Sequence, residues 1–192
     1  MEQAENRYKH KIITIPNILS FFRLCLIPLI LWQYVGAKNY FNALYLLVLS
    51  GLTDIVDGII ARKFHMVSDL GKALDPVADK LTQIAMLFCL VTRFPLMWIP
   101  LVLLVVKELF AGITGLMMVK RGTVIGADWH GKVTTVLLYG TMLVHLAWVN
   151  IPPVVSYILV IFCTGMLLLS GILYGVRNLR FLSSGGVQYE KN

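Results

Sequence analysis

Long apolar stretches alternate with short polar connections along the 192 residues of this chain. Six of these stretches are long enough to be membrane-crossing helices, because about 20 apolar residues span the hydrocarbon core. We place the spans at residues 18–35, 41–60, 76–91, 97–119, 133–149 and 154–174. The third span is short for a full crossing unless the polar residues 71–76 before it face protein or water. The pattern predicts an all-α, polytopic membrane protein with six transmembrane helices.

The composition agrees with this class of protein. Hydrophobic residues make up 58% of the chain and charged residues 14%, whereas soluble domains carry about 25% charged residues. The formal net charge of +7 indicates cytoplasmic loops beside anionic lipid. No basic run with interleaved aromatic residues is present, so we expect no nucleic-acid partner. Cys25, Cys89 and Cys163 lie in apolar stretches without metal-type spacing and are predicted to be buried free thiols.

The basic residues gather in one set of connections between the spans. The opposite connections carry only Lys38 and Arg93, so both termini are predicted to lie on the cytoplasmic side of the inner (cytoplasmic) membrane. Residues 2–15 mix apolar and basic side chains, which fits an interfacial amphipathic helix or a plain basic tail. Residues 1–182 are predicted to form the membrane domain, and residues 183–192 a flexible cytoplasmic tail.

Four aspartates interrupt the apolar pattern between the second and third spans. Asp54 and Asp57 are three residues apart, and Asp75 and Asp79 are four apart, so each pair lies on one helical face. A carboxylate at bilayer depth costs about 2.5–3.5 kcal/mol on insertion scales, so a compensating cation is expected. Hard divalent cations such as Mg²⁺ prefer oxygen ligands. Two facing helices would therefore bring four carboxylates to a metal site that opens toward the cytoplasm.

Small residues and an arginine accompany the aspartates. Gly58, Ala61 and Gly71 would let a bulky ligand approach the backbone. Arg62 could bind a phosphate through two parallel hydrogen bonds. The combination indicates a nucleotide diphosphate with bound metals. The alternative is a small-residue face for helix packing with an arginine at the membrane interface.

The string D-x2-D-G-x2-A-R-x8-G-x3-D-x3-D, from Asp54 to Asp79, resembles the signature of the CDP-alcohol phosphatidyltransferase family. The segment T-I-P-N-I-L-S-x-x-R at residues 14–23 is similar to the start of bacterial phosphatidylglycerophosphate synthases and the related cardiolipin synthases. The resemblance covers nearly the whole chain. It implies transfer of a phosphatidyl group from CDP-diacylglycerol to an alcohol within membrane lipid, with release of CMP, by a homodimer.

The resemblance also implies roles for individual residues. Asp54, Asp57 and Asp75 look like ligands of two Mg²⁺ or Mn²⁺ ions. Asp79 looks like the general base and a further metal ligand. Together with the small residues above, the predicted donor-binding set is Asn17, Ser20, Gly58, Ala61, Arg62, Ser68 and Gly71.

An anionic acceptor requires cations outside that string. The candidates near the cytoplasmic ends of the last three spans are Lys107, Lys120, Arg121, Lys132, Arg177 and Arg180. The predicted acceptor-binding set is Lys107, Lys132, Arg177 and Arg180. Lys107 precedes Glu108, so an ion pair or a lysine reaching the interface is the alternative for it. His130 beside Asp128 is interpreted as a solvated loop histidine, with a phosphate contact as the alternative.

The sequence is compatible with two different acceptor substrates. The segment G-K-V-T-T at residues 131–135 is similar to G-K-x-K-T of phosphatidylglycerophosphate synthases, with Thr134 in place of a lysine. The cardiolipin synthase relatives show a K-V-N-T-like segment there, and Leu52-Thr53-Asp54 also fits them. We expect glycerol 3-phosphate as acceptor, with phosphatidylglycerol and cardiolipin synthesis as the alternative. A divalent-cation transporter is disfavoured, because the aspartates lie near one end of two spans and no inverted repeat is present.

Overall fold

The computed structural model describes residues 14–63, 69–120 and 129–183. Within these ranges the regular structure is helical and includes no strand. The described ranges contain six α-helices: α1 (Ile15–Leu31), α2 (Tyr40–Lys63), α3 (Asp69–Val91), α4 (Trp98–Lys120), α5 (Trp129–Ala147) and α6 (Pro153–Ser183). A π-helical turn, Trp32–Gly36, follows α1, and a 3-10 turn, Pro95–Met97, precedes α4. The prediction of an all-α fold is confirmed for the described residues.

Short polar side chains determine where the first two helices begin. The hydroxyl of Thr14 accepts a hydrogen bond from the backbone N–H of Asn17 at the start of α1. The side-chain oxygen of Asn39 accepts one from the backbone N–H of Asn42 at the start of α2. Each cap satisfies a backbone donor that has no partner within the helix. The connection before Asn39 includes Lys38 in the left-handed conformation, with φ of 52°.

The described helices divide into two compact units. The first contains residues 14–94 and Met142–Asn150, and in it α1 packs against both α2 and α3. The core of this unit includes the buried side chains of Leu26, Ile30, Leu47, Met86 and Leu90. The second unit contains Pro95–Thr141 and residues 151–183, and in it α4 packs against α6. The core of the second unit includes Leu104, Leu138, Val160 and Leu167.

Four segments of the described chain are long and apolar enough to cross a membrane. They are Ile15–Gly36, Tyr40–Ile60, Pro95–Met118 and Pro153–Arg180. Many large apolar side chains on them are exposed, among them Phe41 and Phe162. An outer surface of this kind suits contact with lipid.

The predicted third and fifth spans fall in α3 and α5. These two helices do not reach the same apolarity within the described residues. The first half of α3 carries five charged residues, and α5 begins with His130 and Lys132. The number of six spans therefore stays a prediction. Of the predicted interfacial helix, residues 2–13 lie outside the described residues. The same holds for residues 184–192 of the predicted tail.

All three cysteines are free thiols. Cys89 and Cys163 are buried, as the apolar sequence around them predicts. The prediction of burial is wrong for Cys25, which is exposed. Cys25 lies two residues after the buried Arg23 on α1, so about 200° of helical rotation turns its side chain to the opposite face.

Candidate active site

Arg23 on α1 joins the first pair of aspartates. Its Nη2 atom lies 2.7 Å from Oδ1 of Asp54 and 2.6 Å from Oδ2 of Asp57, both on α2. The side chain of Arg23 is 1% exposed and that of Asp57 is 4% exposed, whereas Asp54 is 47% exposed. A buried arginine in an apolar helix requires such anionic partners. The two carboxylates therefore share one cation at the packed face between α1 and α2.

Ser20, one turn before Arg23 on the same face of α1, reaches the second pair of aspartates. Its hydroxyl donates to Oδ1 of Asp75 on α3 and also lies 2.9 Å from the carbonyl oxygen of Pro16. Ser20 is fully buried. Because residues three apart on a helix are neighbours, Ser20 and Arg23 connect α1 to carboxylates of both α2 and α3.

Asp79, the predicted general base, is held by a residue of its own helix. Nε2 of Gln83, four residues later on α3, donates a hydrogen bond of 2.9 Å to Oδ2 of Asp79. Lys80 Nζ lies 3.9 Å from the same oxygen. Gln83 is fully buried, so its amide has a fixed place from which to orient the carboxylate.

The four aspartates lie near enough for their charges to interact. The charges of Asp75 and Asp79 act on Asp54, and those of Asp75 and Asp54 act on Asp57. Among residues 14–63, 69–120 and 129–183, no three His, Cys, Asp or Glu side chains form a group that could hold a metal ion. The assignment of the four aspartates as metal ligands therefore stays a prediction.

The predicted donor-binding residues are distributed over the same helices. Asn17 and Ser20 are buried on α1, Gly58 lies on α2, and Gly71 is buried in the first turn of α3. Ala61 and Arg62 belong to the last turn of α2. Ser68 lies outside the described residues. Asn17, Ser20 and Arg23 form a polar stripe on α1, and Ser20 and Arg23 of this stripe contact the aspartates.

Two of the four predicted acceptor-binding cations meet in the second unit. Arg177 Cζ lies 4.8 Å from the centre of the Tyr174 ring, and Lys107 Nζ lies 5.8 Å from it. Lys107 also forms the ion pair with Glu108 that the sequence offered as an alternative, at 2.6 Å. Lys132 and Arg180 are exposed. Tyr174 on α6 thus places two cations from α4 and α6 around one aromatic ring.

His130 also packs against Tyr174, and its interpretation as a solvated loop histidine is wrong. His130 is the second residue of α5 and only 5% exposed. Its Nδ1 atom lies 3.2 Å from the hydroxyl oxygen of Ser170, and its ring packs edge-on against Tyr174 with 5.0 Å between ring centres. His130 lies in the first turn of α5, and from there its side chain points inward to Ser170 and Tyr174.

Arg23 and Gln83 were not among the candidate site residues of the sequence. A signal for each was present, because Arg23 is an isolated charged residue in an apolar stretch and Gln83 is a polar residue one helical turn after Asp79. A lone arginine at membrane depth implies an anionic partner. Gln83 lies four residues after Asp79, the spacing at which side chains on one helical face meet.

Comparison with known proteins identifies the family of this chain. Residues 13–171 match the family model of the CDP-alcohol phosphatidyltransferases. The chain belongs to the CDP-alcohol phosphatidyltransferase family. The family predicted from the aspartate string is therefore confirmed, and with it the class of enzyme, a phosphatidyltransferase.

Relatives in the family carry two different names. A cardiolipin synthase (CMP-forming) of Streptomyces coelicolor is 38% identical over 124 residues, which are 61% of this chain and 58% of that protein. A CDP-diacylglycerol–glycerol-3-phosphate 3-phosphatidyltransferase of Aquifex aeolicus is 30% identical over 176 residues, 88% of this chain and 98% of that protein. The Bacillus subtilis protein of the same name is 33% identical over 150 residues, 68% of this chain and 77% of that protein.

Proposed function

We propose that this protein transfers the phosphatidyl group of CDP-diacylglycerol to glycerol 3-phosphate, which gives phosphatidylglycerophosphate and CMP. The observation that carries the proposal is the double contact of α1 with the two aspartate pairs, through Arg23 and Ser20. The names of the Aquifex and Bacillus relatives support glycerol 3-phosphate as the acceptor. The Aquifex relative is matched over almost its full length.

Two Mg²⁺ or Mn²⁺ ions are the proposed cofactors, held by Asp54, Asp57, Asp75 and Asp79. Carboxylate oxygens are the ligands that these hard cations prefer. The fit is supported by Arg23, whose cationic nitrogen already lies within 2.7 Å of oxygens from two of the four carboxylates. When bound, such ions neutralise the diphosphate of the donor and the charge on the departing CMP.

Asp79 accepts the proton of the acceptor hydroxyl in the proposed reaction. The hydroxyl oxygen forms a bond to the lipid-side phosphorus as its proton moves to the carboxylate. The bond between that phosphorus and the oxygen of CMP breaks, and its electron pair leaves with CMP. Gln83 keeps the carboxylate of Asp79 in one orientation through the hydrogen bond to Oδ2.

The donor lies along the polar stripe of α1 and the small residues of α2 and α3 in this proposal. Burial of Asn17 and Ser20 on the face that also carries Arg23 supports it. The set remains the one expected from the sequence: Asn17, Ser20, Gly58, Ala61, Arg62, Ser68 and Gly71.

The acceptor's phosphate is bound by the cations of the second unit. Lys107 and Arg177 beside Tyr174 are the first members, and the exposed Lys132 and Arg180 complete the set. Cations around one aromatic ring favour an anionic ligand, because each charge-assisted hydrogen bond to phosphate is stronger than a neutral one. Both glycerol 3-phosphate and phosphatidylglycerol carry such a phosphate.

The protein is proposed to cross the inner membrane six times as a homodimer, with both termini and the site on the cytoplasmic side. Exposed apolar residues on α3 and α5, such as Val77, Phe88 and Val136, support lipid contact for these two helices. The excess of basic residues in one set of connections supports the orientation. The family resemblance supports the homodimer.

A second candidate function is cardiolipin synthesis from CDP-diacylglycerol and phosphatidylglycerol, favoured by the 38% identity to the Streptomyces protein. Incubation of the purified protein with CDP-diacylglycerol, Mg²⁺ and each acceptor in turn shows whether glycerol 3-phosphate or phosphatidylglycerol is the substrate. Mass spectrometry of the lipid product distinguishes a phosphomonoester lipid with one diacylglycerol from a four-chain lipid. Formation of the four-chain lipid alone would contradict the leading proposal.

A further inference from the structure

Only part of the guanidinium group of Arg23 contacts the aspartates. A single nitrogen, Nη2, contacts both Asp54 and Asp57. The Nε and Nη1 atoms are buried and have no hydrogen-bond partner among the described residues. An arginine that serves as a fixed structural partner of carboxylates commonly binds them through two parallel hydrogen bonds. The contact of Arg23 provides positive charge at one point and leaves its other donors unused.

Charge and burial explain why a cation is needed at this point. Asp57 is 4% exposed, and a buried carboxylate without a partner is strongly unfavourable. Arg23 lies on α1, so its charge is covalently part of the protein and always available. A divalent cation bound by Asp54 and Asp57 would compete with Nη2 for the negative charge of these carboxylates, and most directly for the two oxygens that Nη2 contacts.

We propose that Arg23 is a tethered cation that offsets one of the two negative charges of Asp54 and Asp57 when no divalent ion is bound and is displaced from Oδ1 of Asp54 and Oδ2 of Asp57 when one binds. This inference rests on the proposed use of divalent ions at the site. Arg23 thus holds the two carboxylates together in the metal-free protein and competes with the metal for them. Its unused donors, Nε and Nη1, favour the exchange, because the guanidinium has only one nitrogen to withdraw.

Metal binding without substrates tests the exchange. Arg23→Met keeps a long apolar side chain and removes the competing charge, so Mn²⁺ should bind about tenfold more tightly or better, because repulsion between like charges disfavours binding. Binding is measured by electron paramagnetic resonance of free Mn²⁺ with the purified protein in detergent. In EDTA the variant should melt at a lower temperature than the wild type, and Mn²⁺ should raise its melting temperature by a larger increment.

Arg93→Met is the matched control. Arg93 lies in the same unit, but it donates to the carbonyl oxygen of Val149 and lies over the rings of Tyr40 and Phe94. Its loss should leave the Mn²⁺ affinity unchanged, even where it lowers the melting temperature. Equal effects of the two substitutions on Mn²⁺ affinity would overturn the inference.

Arg23→Lys keeps the test valid if Arg23→Met does not fold. A lysine retains the charge and loses the planar fork, so Mn²⁺ should bind at least as tightly as to the wild type. Weaker Mn²⁺ binding by either variant would mean that Arg23 orients the carboxylates for the metal, which overturns the exchange. Wild-type protein that transfers phosphatidyl groups and binds Mn²⁺, with no tighter binding in Arg23→Met, contradicts this inference alone. Absence of saturable Mn²⁺ binding in the wild type contradicts the metal-dependent function as well.

Discussion

Arg23 and Asp57 form an ion pair of 2.6 Å in which both side chains are almost completely buried. The pair connects α1 to α2, and Ser20 on the same face of α1 connects it to α3. The first helix is therefore part of the aspartate site, although it lies outside the aspartate string in the sequence. Its substitutions should affect the site as directly as those of the aspartates.

The two aspartates that share Arg23 should differ in their contribution to stability. Asp57→Asn should lower the free energy of unfolding by on the order of 3 kcal/mol, because it breaks a buried ion pair. Asp54→Asn should lower it by about 1 kcal/mol or less, because Asp54 is 47% exposed and exposed ion pairs contribute little. Thermal unfolding in detergent with EDTA measures both. Equal destabilisation would contradict the difference in burial.

The aspartates should be equally necessary for turnover. Asp54→Asn, Asp57→Asn and Asp75→Asn should each nearly abolish CMP release, because each removes a proposed ligand of a shared metal site. EDTA should have the same effect on the wild type, and added Mg²⁺ should reverse it. Size-exclusion chromatography checks that each variant remains folded. Wild-type turnover in any of the three would remove that residue from the ligand set.

Gln83 should support turnover through Asp79. Gln83→Leu removes the donor to Oδ2, so kcat should fall about tenfold or more, since a hydrogen bond to a charged group contributes about 1.5–3 kcal/mol. The KM for CDP-diacylglycerol should change little. Thr82→Val is the control, because the hydroxyl of the neighbouring Thr82 donates only to the carbonyl oxygen of Ala78 in the described contacts. A kcat equal to that of Thr82→Val would show that Gln83 does not orient the base.

Substitution of the cations around Tyr174 should change the KM for the acceptor more than the KM for the donor. Arg177→Ala should raise the KM for glycerol 3-phosphate by about 10- to 150-fold, the equivalent of one charge-assisted contact. Lys107→Ala should raise it less, because Glu108 already binds this lysine. Lys132→Ala removes an exposed member of the same proposed set and should raise the KM for glycerol 3-phosphate by a smaller factor than Arg177→Ala, because solvent weakens an exposed ionic contact. Steady-state kinetics with each substrate varied in turn measures the effects, and a rise in the donor KM instead would place these cations at the donor.

Much of the fold follows from the sequence. The apolar runs predict the helices, because an apolar stretch of this length favours a helix that satisfies its own backbone. The spacing of Asp54, Asp57, Asp75 and Asp79 places each pair on one face of a helix, and both pairs contact α1 in the structure. Local sequence pattern was sufficient for the helices and for the shared face of each aspartate pair, but not for the contacts with α1.

Contacts between distant helices could not be predicted in the same way. The pairing of Ser20 with Asp75 joins residues 55 positions apart, and it depends on how α1 packs against α3, which no local pattern specifies. The approach of His130 to Tyr174 has the same origin, together with a helix boundary that sequence locates only to within a few residues. Local composition alone predicted a solvated His130, whereas packing against Tyr174 buries this side chain.

A competition between acceptors tests the proposed reaction most directly. Purified protein receives CDP-diacylglycerol and Mg²⁺ with isotope-labelled glycerol 3-phosphate and phosphatidylglycerol together, and mass spectrometry identifies the lipids while CMP is quantified. We predict a labelled phosphomonoester lipid with one diacylglycerol, formed in equal amount to CMP, and none with Asp75→Asn. A four-chain lipid that contains no label, formed in equal amount to CMP, would contradict glycerol 3-phosphate as the acceptor and identify cardiolipin synthesis as the reaction.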